Sequence, residues 1–172
     1  RQTLLEAAQS SDVVLTSGGV SVGEADYIKD ILQQIGSMDF WKIAMKPGRP
    51  LTVGSIENSL FLGLPGNPVA VMVTFYQFVK PCLAKLAGSN SHTRRLFKAR
   101  CDDSIRKNRG RSEFQRAIAD NDAEGNLTVR LTGRQWSGIL TSMSMANCFI
   151  VLGEDCGDVV EGDQVTIQFF NL

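Results

Sequence analysis

The segment Thr16-Ser-Gly-Gly-Val-Ser-Val-Gly-Glu-Ala-Asp-Tyr27 joins a short apolar run to an amphipathic one through small, flexible and hydroxylic residues. On its amino side, Val13-Val14-Leu15 carries two β-branched residues, the composition of a strand covered on both faces of a parallel sheet. On its carboxyl side, Ile28, Ile31, Leu32 and Ile35 recur at helical spacing and Gly36 supplies a stop. A strand–loop–helix unit of this kind leaves Ser17, Gly18 and Gly19 at the carboxyl edge of the sheet, where glycines let the backbone approach a ligand and free N–H groups point outward. A phosphate-bearing ligand fits such a loop, and a tight turn without a ligand has the same local sequence. Glu24 and Asp26 fall in the first helical turn, where acidic residues also serve as ordinary partners of the helix dipole.

Downstream, Phe40-Trp-Lys-Ile-Ala-Met-Lys46 reads as a second strand, with Trp41, Ile43 and Met45 on one face and Lys42 and Lys46 on the other. In one continuous strand the two lysines would start about 13 Å apart at Cα, close enough to converge on a polyanion. An edge strand defended by lysines would look the same. Pro47-Gly-Arg-Pro50 then forces a turn that brings Arg49 beside them. Leu51–Ile56 and Leu60–Leu64 form a hairpin pair around Glu57-Asn58-Ser59. The second of these runs into Gly63-Leu-Pro-Gly-Asn-Pro68, where Asn67 suits an N-cap and Pro68 the first helical position. The helix so begun carries Val69, Met72, Val73, Tyr76 and Val79 on one face; Pro81 kinks or interrupts it and Gly88 ends its continuation. Gly66 and Asn67 therefore belong to a second strand-to-helix loop suited to an anion.

Ser89-Asn-Ser-His-Thr93 has the polarity of a linker and divides the chain into domains 1–90 and 91–172. Beyond it the texture changes to short β-type runs, Leu96–Cys101, Ser112–Ala119, Leu127–Leu131, Cys148–Leu152 and Val165–Phe170, separated by turn clusters. A small barrel or sandwich of five strands is expected, interrupted by a helical turn or loop over Ser137–Asn147. The fold class is thus α/β with a partly parallel sheet, followed by a small all-β domain.

Eighteen basic and eighteen acidic residues cancel, so no global field directs the chain to nucleic acid or an anionic membrane, and any anion binding has to be local. Cys82, Cys101, Cys148 and Cys156 are scattered without metal-ligand spacing, and His92 is the single histidine, a pattern of reduced thiols. No apolar run approaches the roughly 20 residues of a membrane span. A cytoplasmic location is expected. The chain opens on Arg1 inside an amphipathic segment (Leu4, Leu5, Ala8) and reads as a piece of a longer protein.

Taken in order and at this spacing, TSGGVSVGEADY, FWKIAMKPGRP and GLPGNPVA resemble the MoeA/gephyrin family of molybdopterin molybdotransferases. The resemblance continues through Phe114-Gln-Arg116, Gly133-Arg-Gln-Trp-Ser137 and Ala146-Asn147, and so covers essentially the whole chain. It implies a pterin-binding α/β domain, here without its amino-terminal part, and a C-terminal β-barrel. The activity implied is insertion of molybdate into adenylylated molybdopterin with Mg²⁺-dependent release of AMP. By motif, Asp26, Lys42 and Lys46 correspond to catalytic positions, with Asp26 toward Mg²⁺, and Pro47 sits beside the molybdate position. Ser17, Gly18, Gly19, Gly66 and Asn67 would line the substrate site, to which Arg116 and Ser137 would contribute from the barrel. Fixed cations and forked Arg donors suit a tetrahedral dianion and a phosphoryl linkage. The resemblance also implies a homodimer, a molybdopterin adenylyltransferase as pathway partner, and acidic residues upstream of Arg1 without which the fragment alone is expected to be inactive. Two other readings share these motifs: a gephyrin-type scaffold that anchors receptor tails, and the related adenylyltransferase, which resembles only the first domain.

Overall fold

The computed structural model describes residues 1–18, 25–89, 94–133, 135 and 140–170, and for 25–29 the backbone alone. The first elements are α1 (Gln2–Ser10), β1 (Val13–Ser17), α2 (Ala25–Ile35), β2 (Gly36–Lys42), β3 (Met45–Lys46), β4 (Pro50–Ile56), β5 (Ser59–Leu64) and α3 (Pro68–Thr74). A π-helical turn, Phe75–Val79, precedes α4 (Lys80–Leu86). Then come β6 (Phe97–Cys101), β7 (Ser112–Asn121), β8 (Leu127–Leu131), α5 (Thr141–Met145), β9 (Cys148–Leu152) and β10 (Gln164–Phe169). Two compact units result, Arg1–Ile43 with Gly48–Lys80 and Ala44–Pro47 with Pro81–Leu172. Residues 90–93, within which the domain boundary is expected, lie outside the described residues.

In the first unit the strand order is β1-β5-β4-β2, and only β1 and β5 are parallel. Ala8 from α1 and Leu32 from α2 join Val14, Ile56 and Phe61 in a buried cluster, so both helices cover the sheet through their apolar stripes. Ser59 Oγ donates to Ala8 O at 2.7 Å and to Ser11 O, tying α1 to the start of β5. The expected covering of β1 on both faces is corrected: Val14 is buried in the cluster with α1 and α2, but Leu15, on the opposite face of the strand, is 41% exposed. The β4–β5 hairpin turns on Glu57-Asn58, with Glu57 in the left-handed region at φ 51°.

Asn67 caps α3 as expected, its Oδ1 accepting from Val69 N at 3.1 Å and Ala70 N at 3.3 Å. Val69, Val73 and Val79 are fully buried. Pro81 does not end the helical path. Its ring would clash with the carbonyl four residues back and it lacks an N–H, and the turn just before it is widened, Lys80 N–H reaching Phe75 O. Gly88 (φ 73°) closes α4, with Gly88 N bonded to Lys85 O and Ser89 N to Ala84 O, the paired bonds of a Schellman stop. By length and composition the run Pro68–Leu86 could cross a membrane, which the sequence reading overlooked; about a third of it is buried, Val69, Val73 and Val79 fully.

One sequence expectation fails here. Residues 40–46 are not one strand: β2 ends at Lys42, opposite Pro50, and Ile43 N bonds Arg49 O across the turn. Pro50 has no N–H with which to extend the ladder. Met45 and Lys46 instead pair in parallel with Ser112 and Glu113 of β7, in the second unit. Trp41 is 58% exposed whereas Met45 is buried, so the shared apolar face does not form.

The second unit is a closed five-stranded barrel, β7-β8-β6-β10-β9 and back to β7, with β3 attached outside the ring. All five strands fall where the sequence places them, within two residues at each end. Closure depends on β7, whose first half (Glu113–Ala117) pairs with β9 and whose second half (Ala117–Asn121) pairs with β8. Where each ladder runs out, an amide side chain continues it. Asn147 brackets the Ala119 peptide (N to Oδ1 2.9 Å, Nδ2 to O 2.8 Å), and Gln135 brackets that of Arg116 (N to Oε1 2.8 Å, Nε2 to O 3.0 Å). Ala99, Ala117, Ala119, Val129, Ile150 and Ile167 are among the residues filling the interior. Cys148 also lies there, and burial pushes its thiol up to about 12, which keeps it protonated and inert.

Replacing Asn147 by Leu keeps its bulk and removes both partners of the Ala119 peptide; because Asn147 is exposed and these bonds are only part-buried, unfolding free energy should drop by about 1 kcal/mol. Chemical denaturation of the variant measures this, and an unchanged midpoint would show that the bracket contributes nothing to closure.

Candidate functional site

In the first unit the two loops singled out by sequence come together at one sheet edge. β1 and β5 are parallel neighbours, so their carboxyl ends lie side by side, with Ser17↔Leu64 as the last pair in register. Gly18 N donates to Leu64 O at 3.1 Å and to Pro65 O at 3.3 Å. A Cβ on Gly66 would stand 3.4 Å from Gly18 Cα, and Gly18 itself has φ 86°. Gly18 therefore favours glycine for its backbone conformation, while the approach of Gly66 to it is an ordinary van der Waals contact. Ser17 is exposed beside them, and Asn67 is half-buried with its side-chain oxygen already engaged in capping. Gly19 lies outside the described residues. So does the side chain of Asp26, whose backbone belongs to α2.

Lys42, at the end of β2, and Arg49 are exposed in the first unit. Lys46 and Pro47 belong to the second. The Lys46 side chain is 51% exposed, and its Nζ lies 3.2 and 3.4 Å from the two carboxylate oxygens of Glu113, which is 4% exposed. Gln115 Nε2 donates to Glu113 Oε2 at 2.6 Å. A carboxylate this enclosed loses most of its hydration and needs fixed donors in return, and Lys46 and Gln115 supply them.

Glu113 was not singled out from sequence, although a signal existed. On β7 the residues 113, 115, 117 and 119 share one face, and two polar residues there precede two core alanines. Arg116 stands on the opposite face of the same strand and is 1% exposed. Its Nε donates to Ser142 Oγ of α5 at 3.1 Å, and burial draws the guanidinium below its ordinary pKa while leaving it charged. The sequence thus picked out a charge that is enclosed within the barrel unit, held by α5 and the Gln135 bracket. Ser137 lies outside the described residues. Among the described residues no group of three or more His, Cys, Asp or Glu side chains is placed to hold a metal ion.

Residues 1–85 match the model of a probable molybdopterin binding domain, and residues 98–170 that of the MoeA C-terminal region (domain IV). The chain is 47% identical to a molybdopterin molybdenumtransferase of Haemophilus influenzae over 167 residues, 96% of this chain and 41% of the relative. It is 35% identical to gephyrin of Dictyostelium discoideum over 188 residues, 96% of this chain and 26% of that protein. A crystal structure of the molybdopterin biosynthesis moeA protein from Pyrococcus horikoshii OT3 superposes with a TM-score of 0.73 at 30% identity, covering 98% of this chain and 38% of that one. The chain therefore spans less than half the length of each of these three relatives.

Removing Lys46 alone leaves Glu113 without its cation. Lys46→Ala should lower stability by roughly 2 kcal/mol, less than for a fully buried pair because the lysine is half-exposed. Adding Glu113→Gln in the same chain should recover most of that loss. Denaturation of the two variants decides it: a double variant no more stable than Lys46→Ala would mean that the pair is not what Glu113 depends on.

Proposed function

Because the chain belongs to the MoeA/gephyrin family, we propose that it is part of a molybdopterin molybdenumtransferase, in which residues 1–90 hold the pterin substrate and 91–172 form the C-terminal barrel domain. The reaction is insertion of molybdate into adenylylated molybdopterin with release of AMP. The observation that carries this reading is the packed pair of loops, Ser17-Gly18 against Gly66-Asn67, at the carboxyl ends of two parallel strands. Ligands of open α/β sheets bind at such edges, and backbone without side chains leaves room for phosphate oxygens.

In this reading Ser17, Gly18, Gly19, Gly66 and Asn67 contact the pterin substrate and its phosphates. Lys42 and Lys46 offer ammonium N–H donors to oxyanion oxygens, Pro47 borders the molybdate position, and Arg116 and Ser137 act from the barrel. What supports a role for Lys46 is that its side chain is half-exposed while its ammonium is held by Glu113. A donor fixed in advance stabilises charge that develops on the phosphoryl and molybdate oxygens without reorganising at the moment of reaction. AMP release is proposed to depend on Mg²⁺, with Asp26 facing the metal; no step is drawn through the metal from the described residues. A homodimer, a molybdopterin adenylyltransferase that supplies the substrate, and a cytoplasmic location complete the proposal. The barrel separates this reading from the adenylyltransferase itself, which resembles only the first domain.

The test uses the full-length protein with adenylylated molybdopterin, molybdate and Mg²⁺, following AMP by chromatography. Wild type should release AMP only when molybdate is present. Asn67→Asp keeps a capping oxygen but sets a negative charge in the loop, so the melting temperature should hold while AMP release falls by about tenfold or more. A wild type without molybdate-dependent AMP release, or an Asn67→Asp variant of normal rate, would overturn the assignment.

A further inference from the structure

We propose that Trp41 is a substrate-binding residue of the first unit: its exposed indole is the surface on which a planar heterocycle of the phosphate-bearing substrate stacks. The inference rests on the reading that the Ser17-Gly18 and Gly66-Asn67 loops take that substrate's phosphates.

β4 is antiparallel to both β5 and β2, so β2 runs in the same direction as β1 and β5 and ends at the same edge of the sheet. Thr16, Gly63, Thr52 and Phe40 stand in register as one row across the four strands. One residue further along β1 and β2 come Ser17 and Trp41, and one beyond those Gly18 and Lys42. Trp41 and Lys42 therefore belong to the edge that carries the two loops, three strand spacings or about 14 Å from Ser17 and Gly18 at Cα. Side-chain alternation puts Trp41 and Ser17 on one face, since Val14, Met38 and Phe40 of the other face pack with α1 and α2. Exposure of a single aromatic residue is ordinary by itself; what distinguishes Trp41 is its surroundings. The indole is 58% exposed, and Lys42 and Arg49 are exposed beside it, Arg49 O accepting from Ile43 N at 2.8 Å. Among the described residues no ring or cation stacks on Trp41, and neither of the two cations forms an ion pair. An open aromatic face flanked by two cations suits a flat ring joined to a phosphate, the ring taking the indole and the phosphate oxygens the N–H donors. The proposed substrate carries such a ring at each end of its diphosphate, pterin at one and adenine at the other. With either ring on Trp41, Lys42 and Arg49 meet the nearer phosphate, and the rest of the ligand runs along the edge toward Gly18.

The experiment is calorimetric titration of the full-length protein with AMP, with a pterin phosphate and with ribose 5-phosphate. Trp41→Ala should weaken binding of at least one of the two ring-bearing probes by roughly tenfold, the scale of one aromatic stack, and leave ribose 5-phosphate within about twofold. Trp41→Phe keeps a flat ring and should recover most of the loss. A loss confined to AMP assigns adenine to Trp41, and a loss confined to the pterin phosphate assigns the pterin. Trp41→Leu, apolar but without a flat ring, should behave as Trp41→Ala does and decides the matter if that variant proves poorly folded by circular dichroism. Undiminished binding of both ring-bearing probes overturns the proposal, and so does a wild type that binds neither. An equal loss for ribose 5-phosphate overturns it as well, since the effect would then not pass through a ring. The AMP-release assay on wild type is independent: if it fails, the molybdotransferase reading falls, while the titrations still decide whether Trp41 holds a ring.

Discussion

The hydrogen bonding of β7 along both its edges is the constraint on which the second unit depends. A ten-residue strand staggered between β9 and β8, with Ala117 common to both ladders, closes the sheet into a ring and leaves no free edge within it. The stagger leaves peptide groups past the end of each partner strand, and Gln135 and Asn147 satisfy two of them with side-chain amides. Closure also determines which way the polar residues of β7 face. Glu113 and Gln115 share a face with the core alanines, and Arg116 is turned to the other side under α5.

Two buried charges on one strand raise a common electrostatic problem that is met in two ways. Glu113 is compensated by a cation and an amide, Lys46 and Gln115, one of them half in solvent. Arg116 is held by a neutral hydroxyl, that of Ser142, among its contacts, and burial lowers its pKa without discharging it. Neither arrangement is needed for an alanine-and-valine barrel core, and replacing buried ion pairs by apolar residues is often neutral or stabilising. Their presence is better explained by what they hold in place than by the stability they add. In the first unit the comparable constraint is conformational. Gly18, beside Gly66 at the ends of two parallel strands, has φ 86°, a backbone conformation that a side chain would strain.

Much of this was legible in the residues. The five barrel strands follow from β-rich runs bounded by turn clusters, the β4–β5 hairpin from its short polar turn, and the start of α3 from Asn67-Pro68, because each signal is local. What could not be read depends on partners distant in sequence. The break after Lys42 arises because β2 ends opposite Pro50 while Met45 and Lys46 find β7, sixty-seven positions from Lys46 to Glu113. Parity along 40–46 presupposed a continuity that neither neighbour supports. Arg116 was identified by motif, but its enclosure depends on Ser142 and Gln135, twenty-six and nineteen positions away. Glu113 was passed over because a polar residue in a strand reads as solvent-facing unless the rest of its face is known to be core. The widened turn before Pro81 is an intermediate case: the proline announces a perturbation, and its form is decided by packing.

The assignment of Lys46 as the oxyanion contact is tested most directly by diffraction from crystals of the full-length protein grown with tungstate, a heavy isostere of molybdate, at the tungsten absorption edge. An anomalous peak within hydrogen-bonding reach of Lys46 Nζ, about 3 Å, with Glu113 still on the other side of the ammonium, is the expected result. A peak elsewhere in the protein, with Lys46 engaged by Glu113 alone, would contradict it.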